Sequence, residues 1–533
     1  MSLTNHGIFS DMNRSSNFSL AFLSVIALAA VAFLGKSHET LLRGIDSNIH
    51  AGVSMAVTSV GPVPLLPMAR RPYTQSGPTR VALGDGVGQV FNDHPFFLFW
   101  LNGGIMRALG PSAWSARLLT AAFSVGSVLL TFAIGNFTVS ALYGILSALF
   151  LIFCRDFILT SSTMSLDTAL VFFTLLSFVA WIRGGWMALG LAAGFGLWMK
   201  TPLVLLVFPT ALVTHAAQRN LKAHLPRLLK AGALAVLVGS LLWLYTAKMA
   251  GWDVVRDYWI RQVWGTAVEG RDAGQSPTDW GFFWKFVVTG FLPGFPFLVW
   301  ALIKITRRRE WTVLPTLPAA AAVFILATLV TAMRYRLGHY VTPAFPFLGL
   351  LSAYAVHDWL KPHEDKFYLC LTAFTVVLVT TLVIAPVSLA PESFVALKRF
   401  TPFIQTQGSC DDLVLLVPGG EPVGSAHDYQ LFLNFYTSRP IQVASCDELN
   451  SKSAGARWII LSHQNRQSCL SLKNRKRFSQ NYRVGNQYLL GLGHADPSQP
   501  DLFDLTPLEL EQQAVTDCQA PHYPRDRYHS YVR

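Results

Sequence analysis

The chain has 533 residues and a formal net charge of +12, yet only 14% of its residues are charged while 52% are hydrophobic, and its mean hydropathy is +0.38. This composition excludes an ordinary soluble domain and predicts a polytopic membrane protein. The Lys and Arg residues lie in short clusters between apolar segments, as in cytoplasmic loops, so the positive charge does not indicate nucleic-acid binding.

The first apolar segment, residues 17–35, is about long enough to cross a bilayer and predicts an uncleaved span. A cleaved signal peptide is the alternative, because Ala30-Val31-Ala32 has a small-x-small pattern. Residues 96–109 are too short to span comfortably and contain Arg107, which predicts an interfacial segment. Further spans, which bring the predicted total to about eleven, are expected at 116–136, 140–155, 167–182, 185–199, 202–215, 231–248, 283–303, 313–332, 340–357 and 367–390.

The distribution of basic residues predicts the orientation of these spans. If the N-terminus is cytoplasmic, the two strongest basic clusters, at 216–230 and 304–310, are also cytoplasmic, as the positive-inside rule requires. The long first loop, residues 36–115, and everything after about residue 390 then lie outside. We therefore expect a multi-pass protein of a bacterial inner membrane with its outer loops in the periplasm.

The tail changes character at about residue 391, where charged residues become more frequent. Runs typical of strands occur at 413–417, 441–444 and 458–461, with a helical pattern at 429–436. The predicted fold class is thus a polytopic α-helical membrane module at 1–390, followed by a small extracytoplasmic α/β domain at 391–533.

The tail contains four of the six cysteines of the chain, namely Cys410, Cys446, Cys469 and Cys518. An even number of cysteines in an exported domain predicts two disulfides, with three pairings that the sequence does not distinguish. Free thiols are the alternative.

Ionisable residues of both signs are predicted to arrive at the outer face of the membrane. Such residues at the ends of spans are costly and usually face a cavity rather than lipid. These residues, which we treat as a candidate site, are Asp46, His94, Asp167, Lys200, Arg334, Arg336 and His339.

The two acids are candidates for proton transfer. Asp46 follows the first span, and its carboxylate is the kind of group that takes a proton from an acceptor hydroxyl. Asp167 opens a later span from the outer side. The alternative for each of them is a helix cap.

The cations are candidates for binding the phosphate of a lipid carrier at headgroup depth. Lys200 interrupts two apolar segments, and the alternative for it is a lysine that snorkels to the interface. Arg334 and Arg336 could bind a phosphate with two hydrogen bonds each, beside His339 and Tyr340; interfacial anchoring is their alternative.

His94 precedes Pro95, which restrains the backbone next to the imidazole. It is a candidate donor to a phosphate or sugar oxygen, and a structural histidine is the alternative. The sequence has no Walker loop, no dinucleotide fingerprint and no Cys/His metal spacing. No cofactor is therefore expected with certainty, although a divalent metal stays open.

Several short motifs follow one another along the chain: Asp46-Ser47, His94-Pro95-Phe96, Asp167, Met199-Lys200-Thr201-Pro202, Arg334-Tyr335-Arg336 with Pro343-Ala344-Phe345-Pro346, and residues 429–440 of the tail. Their order resembles the GT-C membrane glycosyltransferases that use polyprenyl-phosphate sugars, namely the aminoarabinose lipid A transferases and the protein O-mannosyltransferases. That superfamily usually has Asp-Glu after the first span and Lys-Pro-Pro or His-Pro-Pro at the end of the first loop. Ser47 and Phe96 depart from these two patterns.

The resemblance implies an inverting transfer of a monosaccharide from a polyprenyl-phosphate carrier to a hydroxyl. Asp46 would deprotonate the acceptor and Asp167 would orient it or share the role of base. Lys200, His94, Arg334 and Arg336 would stabilise the departing phosphate. An envelope glycolipid such as lipid A is the expected acceptor.

Three alternatives remain at this stage. A protein O-mannosyltransferase would use Ser or Thr hydroxyls of secreted proteins instead. A transporter would place its ionisable groups near the bilayer midplane, often between two related halves. A membrane-anchored scaffold would have no use for matched acids and cations at the ends of separate spans.

Overall fold

The computed structural model describes residues 16–34, 47, 50–54, 68–69, 82–83, 88–90, 94–110, 112–200, 202–269, 281–308, 316–334, 336–384, 413–417, 441–443, 456–462, 480–484 and 487–491. The chain forms two compact units. Unit 1 comprises Met1–His38, Asn92–Leu98 and Arg117–Val387, and unit 2 comprises Glu39–Phe91, Phe99–Ala116 and Ser388–Arg533.

The fold is dominated by helices. The α-helices are α1 (Ser16–Leu34), α2 (Phe97–Leu109), α3 (Ala113–Thr138), α4 (Ala141–Ile152), α5 (Arg155–Ser161), α6 (Leu166–Ile182), α7 (Trp186–Gly196), α8 (Val207–Ala217), α9 (Leu221–Ala250), α10 (Trp252–Asp257), α11 (Gly281–Gly290), α12 (Phe295–Arg308), α13 (Thr316–Ala332), α14 (Phe345–Leu360) and α15 (Glu364–Ile384). Short 3₁₀ segments lie at Pro202–Leu206, Gly338–Ala344 and Lys361–His363, and a π-helix at Tyr258–Glu269.

Apolar helices make this a multi-pass membrane protein. Among the described residues, three helices are long and apolar enough to cross a membrane, at Asn17–Leu34, Ala113–Thr138 and Leu221–Lys248, and two bent helix pairs would raise the number to five. Shorter apolar helices lie at Leu166–Ile182, Trp186–Gly196, Pro202–Ala217 and Leu317–Ala332. The number of eleven spans stays a prediction.

Large apolar side chains also cover the outside of these helices. Phe324 is 73% exposed and Leu229 is 65% exposed. Water would penalise such surfaces, whereas lipid tails would not.

Two predicted spans are interrupted. Where the sequence predicts one span at 140–155, α4 and α5 meet at a bend of 69°, and within 283–303, α11 and α12 meet at 117°. Pro293 and Gly294 lie in the second break, and proline removes a helical hydrogen-bond donor. Hydropathy alone did not reveal either bend, because it averages over a break of a few residues.

Glycines let α7 and α9 pack closely. A Cβ atom at Gly190 would lie 2.8 Å from the carbonyl oxygen of Ala231, and one at Gly194 would lie 2.6 Å from Cβ of Val238. Small residues four positions apart on one helix face are the usual device for close contact between membrane helices.

Side-chain contacts bring several helix ends of unit 1 together. The contacts are Arg183 Cζ with the Phe137 ring centroid (4.9 Å), Ser140 Oγ with His357 Nε2 (3.1 Å), Trp181 Nε1 with His215 Nε2 (3.1 Å), the stacked rings of His215 and His224 (4.0 Å between centroids), and Lys304 Nζ with Asp358 Oδ2 (3.0 Å). The carboxyl ends of α3, α6, α8, α12 and α14 and the start of α9 thus share one end of unit 1. We call it the basic end, because it carries the described residues of the predicted cytoplasmic clusters at 216–230 and 304–310.

The strands belong to unit 2. Three short strands, β1 (Met68–Ala69), β2 (Ala82–Leu83) and β3 (Gly88–Val90), form an antiparallel sheet of order β1-β3-β2. The tail has a second sheet of order β5-β4-β6-β8-β7, with strands β4 (Leu413–Val417), β5 (Ile441–Val443), β6 (Ala456–Ser462), β7 (Gln480–Val484) and β8 (Gln487–Gly491). In it, β4 runs parallel to β5 and β6, while β8 is antiparallel to β6 and β7.

The first three strands of the tail coincide with the predicted runs, whereas the hairpin of β7 and β8 was not predicted. The expected helix at 429–436 lies outside the described residues. The α/β class of the tail and the domain boundary at residue 390 therefore stay predictions.

Candidate functional site

A buried ion pair lies at the end of α6 opposite the basic end. Nζ of Lys200 is 2.6 Å from Oδ1 of Asp167, and the two side chains are only 6% and 9% exposed. The pair joins two residues that the sequence singled out separately. Helices α6 and α7 are joined by the short turn around Gly184, which has a φ of +72°, and this antiparallel hairpin returns Lys200 to the start of α6.

The backbone around Asp167 is fixed from two sides. Ser165 is the N-cap of α6: its hydroxyl accepts a hydrogen bond from the Asp167 backbone N–H at 3.1 Å and lies 3.3 Å from Asp167 Oδ2. The Ser165 N–H donates to Oγ1 of Thr120 on α3 at 3.2 Å. One turn earlier on α3, the buried Arg117 donates to the Ser162 carbonyl oxygen at 3.2 Å. Because Ser165 caps the helix, the Asp167 side chain is available to pair with Lys200. The alternative interpretation of Asp167 as the helix cap is therefore wrong.

The backbone at Lys200 is fixed by a tyrosine. The Tyr258 hydroxyl donates to the Lys200 carbonyl oxygen at 2.7 Å, and Tyr258 is buried. Its ring stacks on Trp243 of α9, with centroids 4.5 Å apart. Tyr258 begins the π-helix, a rare geometry that occurs often at functional sites.

The 3₁₀ segment Gly338–Ala344 supplies two further candidates. The Tyr340 ring centroid lies 5.6 Å from Lys200 Nζ, and His339 interacts electrostatically with Asp167. Glycine at position 338 lets the segment pack closely on Phe286, because a Cβ there would lie 2.3 Å from that ring in its present position. The structure thus brings His339 and Tyr340 to the ion pair.

The two candidate arginines lie in different environments. Arg336 is buried, its Nε donates to the Met333 carbonyl oxygen at 2.7 Å, and its guanidinium carbon is 5.8 Å from the Phe282 ring centroid. Arg334 is exposed, and its backbone N–H donates to Ala267 in the π-helix at 3.2 Å. Arg336 therefore points inward while Arg334 is the more accessible cation.

His94 is half-buried at the start of the segment that leads into α2. The rings of Phe97 and Trp198 lie 5.0 Å apart in a T-shaped contact, so the His94 segment packs against the residues just before Lys200. The rings of Phe96 and Tyr245 pack together, with their centroids 6.1 Å apart. Phe96 thus packs with an aromatic side chain at the position where the second proline of the related motif would stand.

The remaining candidates lie outside the described residues. They are Asp46, Cys410, Cys446, Cys469 and Cys518. Both described cysteines, Cys154 and Cys370, are free. The described part of the chain contains no group of three or more His, Cys, Asp or Glu side chains that could hold a metal ion.

The arrangement can bind an anion without carrying a bare buried charge. An ammonium has three N–H donors, and Asp167 accepts from one of them, which leaves donors for an incoming phosphate oxygen. Asp167 neutralises Lys200 while the site is empty, and this offsets the cost of burying a charge.

Sequence reasoning missed Tyr258, Arg117 and Thr120, which hold the pair through backbone groups. A tyrosine in a surface-like loop and a threonine inside a span carry no distinctive pattern. The Ser165-Leu166-Asp167 spacing, in contrast, is a recognisable N-cap signal.

The family model described as dolichyl-phosphate-mannose-protein mannosyltransferase matches residues 93–243, which include His94, Asp167 and Lys200. No curated protein matches the sequence significantly.

Two solved structures of ArnT share the fold of this chain. ArnT from Cupriavidus metallidurans bound to undecaprenyl phosphate superposes with a TM-score of 0.60 at 17% identity, covering 89% of this chain and 98% of ArnT. Its apo state gives 0.58 at 16% identity with the same coverage. The apo oligosaccharyltransferase of Archaeoglobus fulgidus gives 0.49 at 10% identity, covering 91% of this chain and 76% of that one.

These comparisons confirm the resemblance predicted from the sequence. The chain has the fold of ArnT, and together with the family match this indicates a glycosyltransferase of the GT-C type.

Proposed function

We propose that this protein is an inverting glycosyltransferase that moves a monosaccharide from a polyprenyl-phosphate carrier to a hydroxyl of an envelope glycolipid such as lipid A. The observation that carries the proposal is the buried pair of Asp167 and Lys200, beside Tyr340 and the His94 segment, in a fold shared with a protein seen bound to undecaprenyl phosphate.

In the proposed reaction, the acceptor oxygen attacks the anomeric carbon of the sugar, and the bond from that carbon to the phosphate oxygen breaks. The sugar changes its carrier and its anomeric configuration, and polyprenyl phosphate leaves. The acceptor proton passes to a carboxylate, which we assign to Asp46 from its place in the sequence.

Lys200 is the proposed electrostatic partner of the departing phosphate, whose negative charge grows as the bond breaks. His339, Tyr340 and Arg336 are proposed to complete this side of the site, with Arg334 and His94 as further donors to the carrier or sugar. Asp167 contacts Lys200, which supports a role in aiming the ammonium more directly than a role as second base.

The proposed location is the periplasmic side of a bacterial inner membrane. The basic end of unit 1 carries the exposed Lys222, Arg227, Lys230 and Arg307, and basic clusters mark the cytoplasmic side of membrane proteins. Asp167 and Lys200 lie together at the end of unit 1 that is opposite the basic end. This position supports a site that faces the periplasm.

A protein O-mannosyltransferase is the second candidate, since the matching family model carries that description. A transporter is less well supported, because the described ionisable pair lies at helix ends rather than in the middle of a span.

The test is sugar transfer by the purified full-length protein in nanodiscs. Radiolabelled polyprenyl-phosphate sugars are offered with either extracted outer-membrane glycolipid or a Ser/Thr peptide. Label in the glycolipid supports the first candidate, and label in the peptide supports the second. Asp46→Asn is expected to abolish transfer, whereas Asp365→Asn, which removes an exposed carboxylate at the basic end, leaves it unchanged. Full activity of Asp46→Asn would reject the assigned base.

A further inference from the structure

The first third of α9 carries exposed basic and apolar side chains together. Residues 221–230 read Leu-Lys-Ala-His-Leu-Pro-Arg-Leu-Leu-Lys and contain no acid. Lys222, Leu225, Arg227, Leu229 and Lys230 are all exposed. This segment lies at the basic end and is remote from the ion pair of the candidate site.

The exposed residues of the segment continue the lipid-facing side of α9. At about 100° per residue, Lys222, Leu225, Leu229 and Lys230 fall within an arc of roughly 140° on the helix, and Arg227 lies about 60° beyond that arc, next to Lys230. The apolar side chains exposed on the same side farther along are Val236, Leu237, Leu241 and Leu244.

The length of α9 places residues 221–229 beyond the hydrocarbon layer. Lys230 and Lys248 are both exposed, and at 1.5 Å per residue they stand about 27 Å apart along the axis, close to the thickness of about 30 Å of a hydrocarbon core. The preceding turns therefore extend about 13 Å farther, to the depth of the lipid headgroups.

The turn that starts this segment is held firmly. Nδ1 of His215 lies 2.8 Å from Oδ1 of Asn220, and Trp181 donates to the other nitrogen of the same imidazole at 3.1 Å. Because Nε2 accepts this bond, Nδ1 is the donor to Asn220. Arg219 adopts a φ of +58°, which reverses the chain before α9 begins.

Among the residues that the structure describes, no ion pair joins the cations of this segment to an acid, whereas other cations at the same end are paired. Lys304 and Arg308 pair with Asp358 at 3.0 and 3.1 Å. Lys361 and Lys366 flank the acids Glu364 and Asp365. Within the described ranges, Lys222, Arg227 and Lys230 have no such acidic neighbour in their own helical turns.

We propose that residues 221–230 form a binding surface for the headgroups of anionic phospholipids in the leaflet at the basic end. Lys222, Arg227 and Lys230 bind the phosphates, while Leu225 and Leu229 lie beside them at the boundary between the headgroups and the acyl chains. This surface goes beyond the proposed sugar transfer, since it needs neither the donor nor the ion pair.

The experiment is native mass spectrometry of the full-length protein in detergent, titrated with phosphatidylglycerol or with phosphatidylcholine of the same acyl chains. A basic residue at a membrane surface contributes about a fivefold gain in affinity for anionic lipid. The variant Lys222→Gln/Arg227→Gln/Lys230→Gln is therefore expected to raise the Kd for phosphatidylglycerol by at least about tenfold. Its Kd for phosphatidylcholine should equal that of the native protein.

The matched control is Arg308→Gln/Lys361→Gln/Lys366→Gln, which removes the same charge from the same end. It is expected to change the Kd by less than about twofold, because neighbouring acids already offset these cations. The variant Lys222→Arg/Lys230→Arg keeps the charge and should still bind phosphatidylglycerol tightly. The binding should also weaken as the salt concentration rises, because salt screens the attraction between the charges. Equal losses in the two triple variants, or no preference of the native protein for the anionic lipid, would overturn it. Sugar transfer measured in parallel tests the proposed function separately.

Discussion

The hydroxyl of Tyr258 donates a hydrogen bond to the carbonyl oxygen of Lys200 at 2.7 Å, across 58 positions of the chain. The ammonium of the same lysine lies 2.6 Å from Asp167. Lys200 is therefore held at both its backbone and its side chain. A cation that stabilises a leaving phosphate must lie where the charge develops, and this double restraint provides that placement.

Tyr258→Phe should slow transfer without abolishing donor binding. The substitution leaves the stack on Trp243 in place and removes only the bond to the Lys200 carbonyl oxygen. A small displacement of the ammonium should lower kcat by about tenfold or more, while the KM for the donor changes less than about twofold. Steady-state kinetics with a labelled polyprenyl-phosphate sugar measures both.

Tyr368→Phe is the control for this variant. Tyr368 is buried, and its hydroxyl donates to Glu364 at the basic end. Its loss should cost a comparable amount of stability and leave kcat unchanged. Equal effects of the two variants on kcat would mean that Tyr258 serves stability alone.

Asp167 and Lys200 should behave as one energetic unit. Lys200→Met leaves a buried carboxylate without its partner, and Asp167→Asn leaves a buried ammonium; each should cost about 3–5 kcal/mol of unfolding free energy. The double variant should cost less than the sum, by about 1–3 kcal/mol. Unfolding in mixed micelles, followed by tryptophan fluorescence, measures the cycle.

The sugar-transfer activity of the two single variants and of the double variant gives a second test of the pair. All three variants should transfer sugar at less than about 1% of the native rate, because each removes or misplaces the cation near the phosphate. Additive stability effects would show that the pair does not form in the membrane. A Lys200→Met variant with native kcat would remove Lys200 from the proposed mechanism.

The sequence predicted the helices of the site better than their contacts. Hydropathy located α6 and α7, and their antiparallel hairpin placed Asp167 and Lys200 at one face. The direct bond between them depends on the rotation of each helix, which is set by the packing of α7 on α9 and of Ser165 on α3. No local pattern records that rotation.

The bends and the tail show a different limit. The residues of β7, Gln-Asn-Tyr-Arg-Val, alternate too weakly to indicate a strand, and they form one only because β8 pairs with them in register. The break between α11 and α12 depends on a few residues inside an otherwise apolar stretch. The strand β7 depends on tertiary pairing, and the break between α11 and α12 depends on local backbone chemistry. An average of hydropathy over a window of residues detects neither.

Gly194→Ala should destabilise the protein, although alanine favours helices. A Cβ at this position would lie 2.6 Å from Cβ of Val238, so α7 and α9 would have to separate. Overpacking of this kind costs about 1–3 kcal/mol, more than the gain of about 1 kcal/mol in helix propensity. Gly232→Ala on α9 is the matched control, because the nearest atom to its Cβ is 3.8 Å away, at ordinary contact distance. Thermal unfolding in detergent should give a lower Tm for Gly194→Ala and an equal or higher Tm for Gly232→Ala.

The same order of the two variants should appear in the transfer activity that remains after brief heating, since the helix pair carries the segment that leads to Lys200. If both variants unfolded at the native Tm, the contact between α7 and α9 would be looser than the structure shows.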